Sequence, residues 1–183
     1  EKDGDYAVPK TIDGKAVKGV SRWIDGTPAG DRGDMILEND IAFGKLLETL
    51  RDTEDPLWPG HRLIENTLII FTSDNGPNVV DKLGRNRESG GLRGKKAKLW
   101  EGGIRVPGIA RWPGHIKPGT TSSVPVIGSD LFPTILSIVG SELPKDRGID
   151  GVDMRPALAG KPVERPVPLY WRNHLAPADN HVA

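Results

Sequence analysis

Asp74 and Asn75 stand side by side at the end of an apolar, β-branched run, Thr67-Leu68-Ile69-Ile70-Phe71-Thr72-Ser73. Such a run reads as a buried strand over 67–72. In open α/β sheets, ligands collect just beyond the carboxyl ends of strands. Asp74 and Asn75 offer hard oxygen donors, which suit Ca²⁺ or Mg²⁺ better than a soft metal. Asp-Asn-Gly is also good turn chemistry. It is the position at a strand end that makes the pair a candidate metal site.

A second stretch supplies positive charge. Between Asp81 and Lys98 lie Lys82, Arg85, Arg87, Arg93, Lys95, Lys96 and Lys98, against only Asp81 and Glu88. A local excess of this kind attracts anions, although charge runs are often simply solvated faces. Lysine acts as a point charge and arginine as a planar fork, so both suit sulfate or phosphate oxygens. Metal-bearing strand end and basic loop together suggest a site for a small dianion. Nucleic acid would need interleaved aromatics, and only Trp100 lies nearby. Glu101-Gly102-Gly103 followed by Arg105 reads as a tight turn with an internal ion pair. Among the histidines, His174 could reach a substrate. His115 reads as a loop residue, and His61 and His181 offer nothing specific.

The elements that must position these groups read as α/β. Residues 1–30 are turn-rich and read as surface loop. A helix is expected from about Gly33 to Arg51, with Ile36, Phe43, Leu47 and Leu50 on one face. Asp40 interrupts that stripe, so a partner for it is expected. The loop 52–66 leads into the strand at 67–72. Residues 76–94 form a long connection, and loops of that length are usually functional or disordered. A second strand is expected from about Ile104 to Trp112. A second helix has Ser129 or Asp130 as its cap, Pro133 in its first turn and Gly140 just past its end. A short strand is possible at Val167–Trp171.

Composition sets outer limits. The 183 residues suffice for one domain with a core. Lys plus Arg and Asp plus Glu number 25 each, and this balance argues against a general nucleic-acid binder. No cysteine is present, which excludes disulfides, thiolate metal sites and a cysteine nucleophile within the chain. No run reaches the roughly 18 apolar residues of a membrane helix. Glu1-Lys2-Asp3-Gly4-Asp5 has no apolar segment after it and is no signal peptide. The chain starts without Met, and both ends read as cut from something larger.

Several pieces in a fixed order resemble the sulfatase family, the arylsulfatase-like branch of the alkaline phosphatase superfamily. They are Leu46-Leu47-Glu48-Thr49-Leu50, Thr72-Ser73-Asp74-Asn75-Gly76, Leu92-Arg93-Gly94-Lys95-Lys96 and Trp100-Glu101-Gly102-Gly103-Ile104-Arg105-Val106-Pro107. Trp112-Pro113-Gly114-His115-Ile116, Asp130-Leu131-Phe132-Pro133-Thr134-Ile135-Leu136, Gly151-Val152-Asp153 and Leu158-Ala159-Gly160 complete the series. Together they cover about residues 30–175.

The resemblance implies an α/β fold, part of an alkaline-phosphatase-like sandwich with a mostly parallel sheet flanked by helices. It implies a sulfuric ester hydrolase acting on aryl or carbohydrate sulfates, with Ca²⁺ and a formylglycine nucleophile. Asp74 and Asn75 match the family's calcium-ligand pair. Lys96 matches the lysine that binds the sulfate group, and Arg93 and Trp100 match scaffold positions. The family's nucleophile arises from Cys or Ser in a C/S-x-P-S/A-R motif, which this sequence lacks. The family's remaining calcium ligands and its central Lys and His residues have no match either. The expectation is therefore that residues 1–183 are a later part of the catalytic domain, truncated at both ends and inactive alone. Export to the periplasm or the exterior is implied by the family only. Two rivals remain: a phosphate or phosphonate ester hydrolase of the same superfamily, and a non-catalytic binder of sulfated glycan.

Overall fold

The computed structural model describes residues 8–78 and 89–172. The chain folds as two units, one up to Thr67 and one from Leu68 onward.

The first unit begins with a hairpin where loop was expected. Strands β1 (Thr11–Ile12) and β2 (Lys15–Ala16) pair antiparallel. Asp13 and Gly14 both have positive φ, 49° and 76°, and Asp-Gly is the sequence that a two-residue hairpin turn favours. Helix α1 (Gly30–Asp52) follows, a little longer than expected. Phe43, Leu47 and Leu50 of its stripe are half-buried, whereas Ile36 is 60% exposed. Asp40 needs no partner, contrary to expectation, because it is exposed to water. The buried carboxylate of α1 is Asp34. It accepts bonds from the Gly19 N–H (2.5 Å), the Ser21 N–H (3.1 Å) and the Ser21 hydroxyl (2.5 Å). Those bonds, the Gly19 N–H foremost, hold its pKa below the usual carboxylate range. In this way α1 fixes the incoming loop.

The second unit is built around a strand pair and a small helical cluster. Strand β3 (Ile69–Thr72) pairs antiparallel with β4 (Gly108–Arg111), with Ile69 opposite Arg111 and Thr72 opposite Gly108. The expected mostly parallel sheet is not seen among the described residues, whose strand pairs are antiparallel. The two strands close a long hairpin, and the contacts beyond their ends hold that direction. β3 is also less buried than expected: Ile69 and Ile70 are half-buried and Phe71 is 46% exposed. A two-stranded ribbon covers neither of its own faces.

The second strand is shorter than the sequence suggested. Glu101–Ile104 forms a single helical turn, α2, and extended backbone resumes only after it. The Arg105 N–H donates to the Glu101 carbonyl (2.8 Å), and the two side chains pair at 3.3 Å. That ion pair was expected, and its i,i+4 spacing is what a helical turn supplies.

Helix α3 (Leu131–Ile138) carries Pro133 buried in its first turn. Gly140 ends it at φ 72°, with the Ser141 N–H on the Leu136 carbonyl (2.9 Å), the Schellman closure expected of that glycine. Asp130 precedes the helix but makes no side-chain cap. Its fully buried carboxylate instead gathers distant chain. It accepts from the backbone N–H of Ile127 and Val152 (2.9 Å each) and from both Nη atoms of Arg165 (2.9 and 2.5 Å). Burial opposes its ionisation. The Arg165 bond and the two N–H groups outweigh that, and its pKa lies below the usual value. Thr134, also buried, donates to the Asp130 carbonyl and accepts from the Met154 N–H. Helix α4 (Arg155–Leu158) follows directly. Residues 167–171 form no strand, contrary to expectation: Pro168 lacks a donor, and no described strand pairs with them.

Candidate functional site

Beyond the end of β3 the chain enters the segment Ser73–Pro77, which backbone hydrogen bonds tie to α2 and to Lys96. The Gly76 N–H donates to the Gly103 carbonyl at 2.9 Å. Gly76 has no room for a side chain: a Cβ there would stand 1.9 Å from the Gly102 carbonyl oxygen. Gly102 in turn donates to the Arg93 carbonyl (2.7 Å), and a Cβ on it would meet the carbonyls of Leu92, Arg93 and Gly94 within 2.8 Å. A Cβ on Gly103 would stand 2.0 Å from the Lys98 carbonyl and 2.5 Å from that of Lys95. Three segments therefore pack main chain to main chain: the strand end, the loop 91–100 and α2.

Lys96 belongs to this closure. Its N–H donates to the Pro77 carbonyl at 2.8 Å, which brings the lysine's backbone to the strand end that carries Asp74 and Asn75. It sits in the turn Lys95–Lys98, closed by the Lys98 N–H on the Lys95 carbonyl (3.0 Å). The next residue, Ala97, has φ 68°, a conformation that favours glycine. The strained residue next to the candidate anion-binding lysine is a feature that functional sites often show. Two further contacts fix the loop: the Arg93 guanidinium carbon lies 3.6 Å from the Trp100 ring centroid, and a Cβ on Gly94 would meet the Trp100 Cβ at 2.7 Å.

Asp74 is exposed and Asn75 half-buried. The Asn75 amide nitrogen donates to the Gly76 carbonyl (2.9 Å), which leaves the amide oxygen as a donor for a cation. The Ser73 hydroxyl reaches the Asn75 carbonyl at 3.0 Å and the Asp74 carboxylate at 3.4 Å. These oxygens fit a hard cation but fill only part of its shell, since Ca²⁺ takes roughly six to eight. Among the described residues, no group of three or more His, Asp or Glu side chains could hold a metal. The structure thus ties the Lys96 backbone to Pro77, in the segment that carries Asp74 and Asn75. His174 lies outside the described residues, as do Lys82, Arg85 and Arg87 of the basic loop. Of the other histidines, His115 stacks on Trp112 in a turn (3.8 Å), as expected for a loop residue. His61 pairs with Glu65 (3.0 Å) and stacks on Trp58. The sequence reading missed the glycines that make this closure; the Gly-Gly dipeptide inside Glu101–Ile104 was the available signal, since glycines cost a helix stability unless something must approach closely.

Residues 8–141 match the family model for sulfatases. The chain belongs to the sulfatase family. It is 47% identical over 136 residues to steryl-sulfatase from Rattus norvegicus, an alignment covering 72% of this chain and 22% of that protein. It is 40% identical over 161 residues to N-acetylgalactosamine-6-sulfatase from Sus scrofa, covering 87% and 29% respectively. Among solved structures it resembles Ps i-CgsB, crystallised in complex with k-i-k-neocarrahexaose, with TM-score 0.64 and 32% identity over 78% of this chain and 29% of that one. The sulfatase chain thus spans about a quarter of the length of these relatives. No described helix is long and apolar enough to cross a membrane.

Proposed function

We propose that this chain supplies part of the active site of a sulfuric ester hydrolase, with Asp74 and Asn75 as metal ligands and Lys96 as the sulfate-binding cation. The observation that carries the reading is the 2.8 Å bond from the Lys96 N–H to the Pro77 carbonyl. It supports the reading because it ties the Lys96 backbone to the segment that carries Asp74 and Asn75. Family membership supplies the reaction class. Bound Ca²⁺ would neutralise negative charge and orient the ester's oxygens. The chain's own residues do the rest. Asp74 and Asn75 would hold the ion from one side through hard oxygens. Lys96 would place an ammonium against the sulfuryl group or the leaving oxygen, stabilising charge there as the ester bond breaks. The nucleophile, a formylglycine in this reading, would come from sequence outside these 183 residues. The chain is then one portion of a larger catalytic domain. Substrates are sulfated small molecules or glycans, and the protein acts in the periplasm or outside the cell; support for both comes from the family.

The test is Lys96→Ala in the full-length protein, assayed by sulfate release from an aryl sulfate and a sulfated sugar. Loss of an oxyanion-stabilising donor should lower kcat by about 10²–10³. Unchanged turnover would remove Lys96 from the site.

A further inference from the structure

We propose that Arg93 and Trp100 act as a positioning pair for Lys96, their stacked side chains setting where its ammonium stands. The inference rests on the assignment of Lys96 given above. Loop 93–102 is closed twice. The Gly102 N–H bonds the Arg93 carbonyl at 2.7 Å, and the Arg93 guanidinium covers the Trp100 ring at 3.6 Å. The backbone of Gly94, at φ 96°, lies against the Trp100 Cβ, so the ring's own attachment props the loop from inside. Between these two closures lies only the turn that carries Lys96.

That turn is poorly held by its own geometry. Ala97 sits where glycine is preferred, so left to itself the turn would relax to another shape. Contacts from outside the turn oppose this, among them the Lys96–Pro77 bond, the seat of the Lys95 and Lys98 carbonyls on Gly103, and the Arg93–Trp100 stack. The first two are made by main chain and survive any side-chain replacement outside the glycines. The stack is a contact between side chains, and so one by which the sequence can adjust the Lys96 position. Neither Arg93 nor Trp100 is assigned a contact with the sulfate group.

A double-mutant cycle in the full-length protein tests this. Trp100→Ala and Arg93→Met each remove the stack, and each should lower kcat about tenfold or more, since a displacement near 1 Å can cost about 10²-fold. Trp100→Phe keeps an aromatic face and should retain most activity. In a Lys96→Ala background, Trp100→Ala and Arg93→Met should lower kcat no further, because there is no ammonium left to position. If Lys96→Ala costs activity and either stack variant adds its full effect on top, the positioning role is wrong and the assignment of Lys96 stands. If Lys96→Ala costs nothing, that assignment falls and the inference falls with it.

Discussion

Replacing Gly76 by alanine puts the site's construction to its sharpest test. The added Cβ would stand 1.9 Å from the Gly102 carbonyl oxygen and 3.0 Å from the Gly103 Cα. Both neighbours are backbone, so no side chain can swing away. To regain an ordinary carbon–oxygen contact, the strand end and α2 must part by about 1.5 Å. The bond from the Gly76 N–H to the Gly103 carbonyl would stretch or break. Asp74 and Asn75 precede Gly76 on the same segment, and the Lys96 N–H bonds to Pro77, so the proposed metal ligands and the lysine move relative to α2. A misplacement of this size in a catalytic arrangement costs on the order of 10²-fold. The expected outcome for Gly76→Ala in the full-length protein is thus a fall in kcat/KM of about 10²-fold. The assay is initial-rate sulfate release, with circular dichroism confirming that the protein remains folded. Gly108→Ala is the matched control: a Cβ there meets nothing within 4 Å, and it should behave as wild type. A folded Gly76→Ala protein with activity within twofold of wild type would refute the idea that this backbone closure places the site.

Two predictions concern the frame. Arg165→Met should strip the buried Asp130 carboxylate of its cation, a change of the kind that costs about 3–5 kcal/mol; the readout is amide exchange at Ile127 and Val152, faster by at least about 10²-fold, and unaltered protection would take the pair out of the frame. Asp34, Asp130 and Asp153 all have pKa values held below the ordinary carboxylate value in the folded chain. Their stabilisation is therefore complete above the unfolded pKa, about 4, and lost as pH falls through the lower folded values. An acid titration followed by exchange at the Ile127, Val152 and Gly19 amides should show protection intact at pH 5 and failing below about pH 4, whereas failure between pH 6 and 7 would implicate histidine instead.

Local signals made much of this legible in the sequence. Helix α3 was readable because Pro133 and Gly140 mark its ends by backbone chemistry alone. Asp74 and Asn75 stood out as a hard-oxygen pair at a strand end, Lys96 was singled out only by the family resemblance, and a backbone bond from Lys96 to Pro77 ties the two segments. What failed was non-local. Asp130 looked like a cap because caps are close in sequence, yet its partners Val152 and Arg165 lie 22 and 35 residues away. The start of β4 was misjudged because Ile104 and Val106 favour strands, while the Glu101–Arg105 pair holds one helical turn first. The β1–β2 hairpin was missed although Asp13-Gly14 announced it; strands of two residues leave almost no alternation to read. Parallelism was inferred from the family's sheet as a whole, and one strand pair need not share the majority direction.

The meeting of Gly76, Gly102 and Gly103 is made by atoms that every amino acid has, apart from the hydrogens that only glycine offers. Its mutational landscape should therefore be steep and narrow. Three positions admit one residue, while around them Ser73, Lys95 and Leu99 can be exchanged without loosening the closure itself. Under the proposed function, such a site could be retuned toward new esters by point changes at its surface, because selection for a different substrate need not touch the glycine closure.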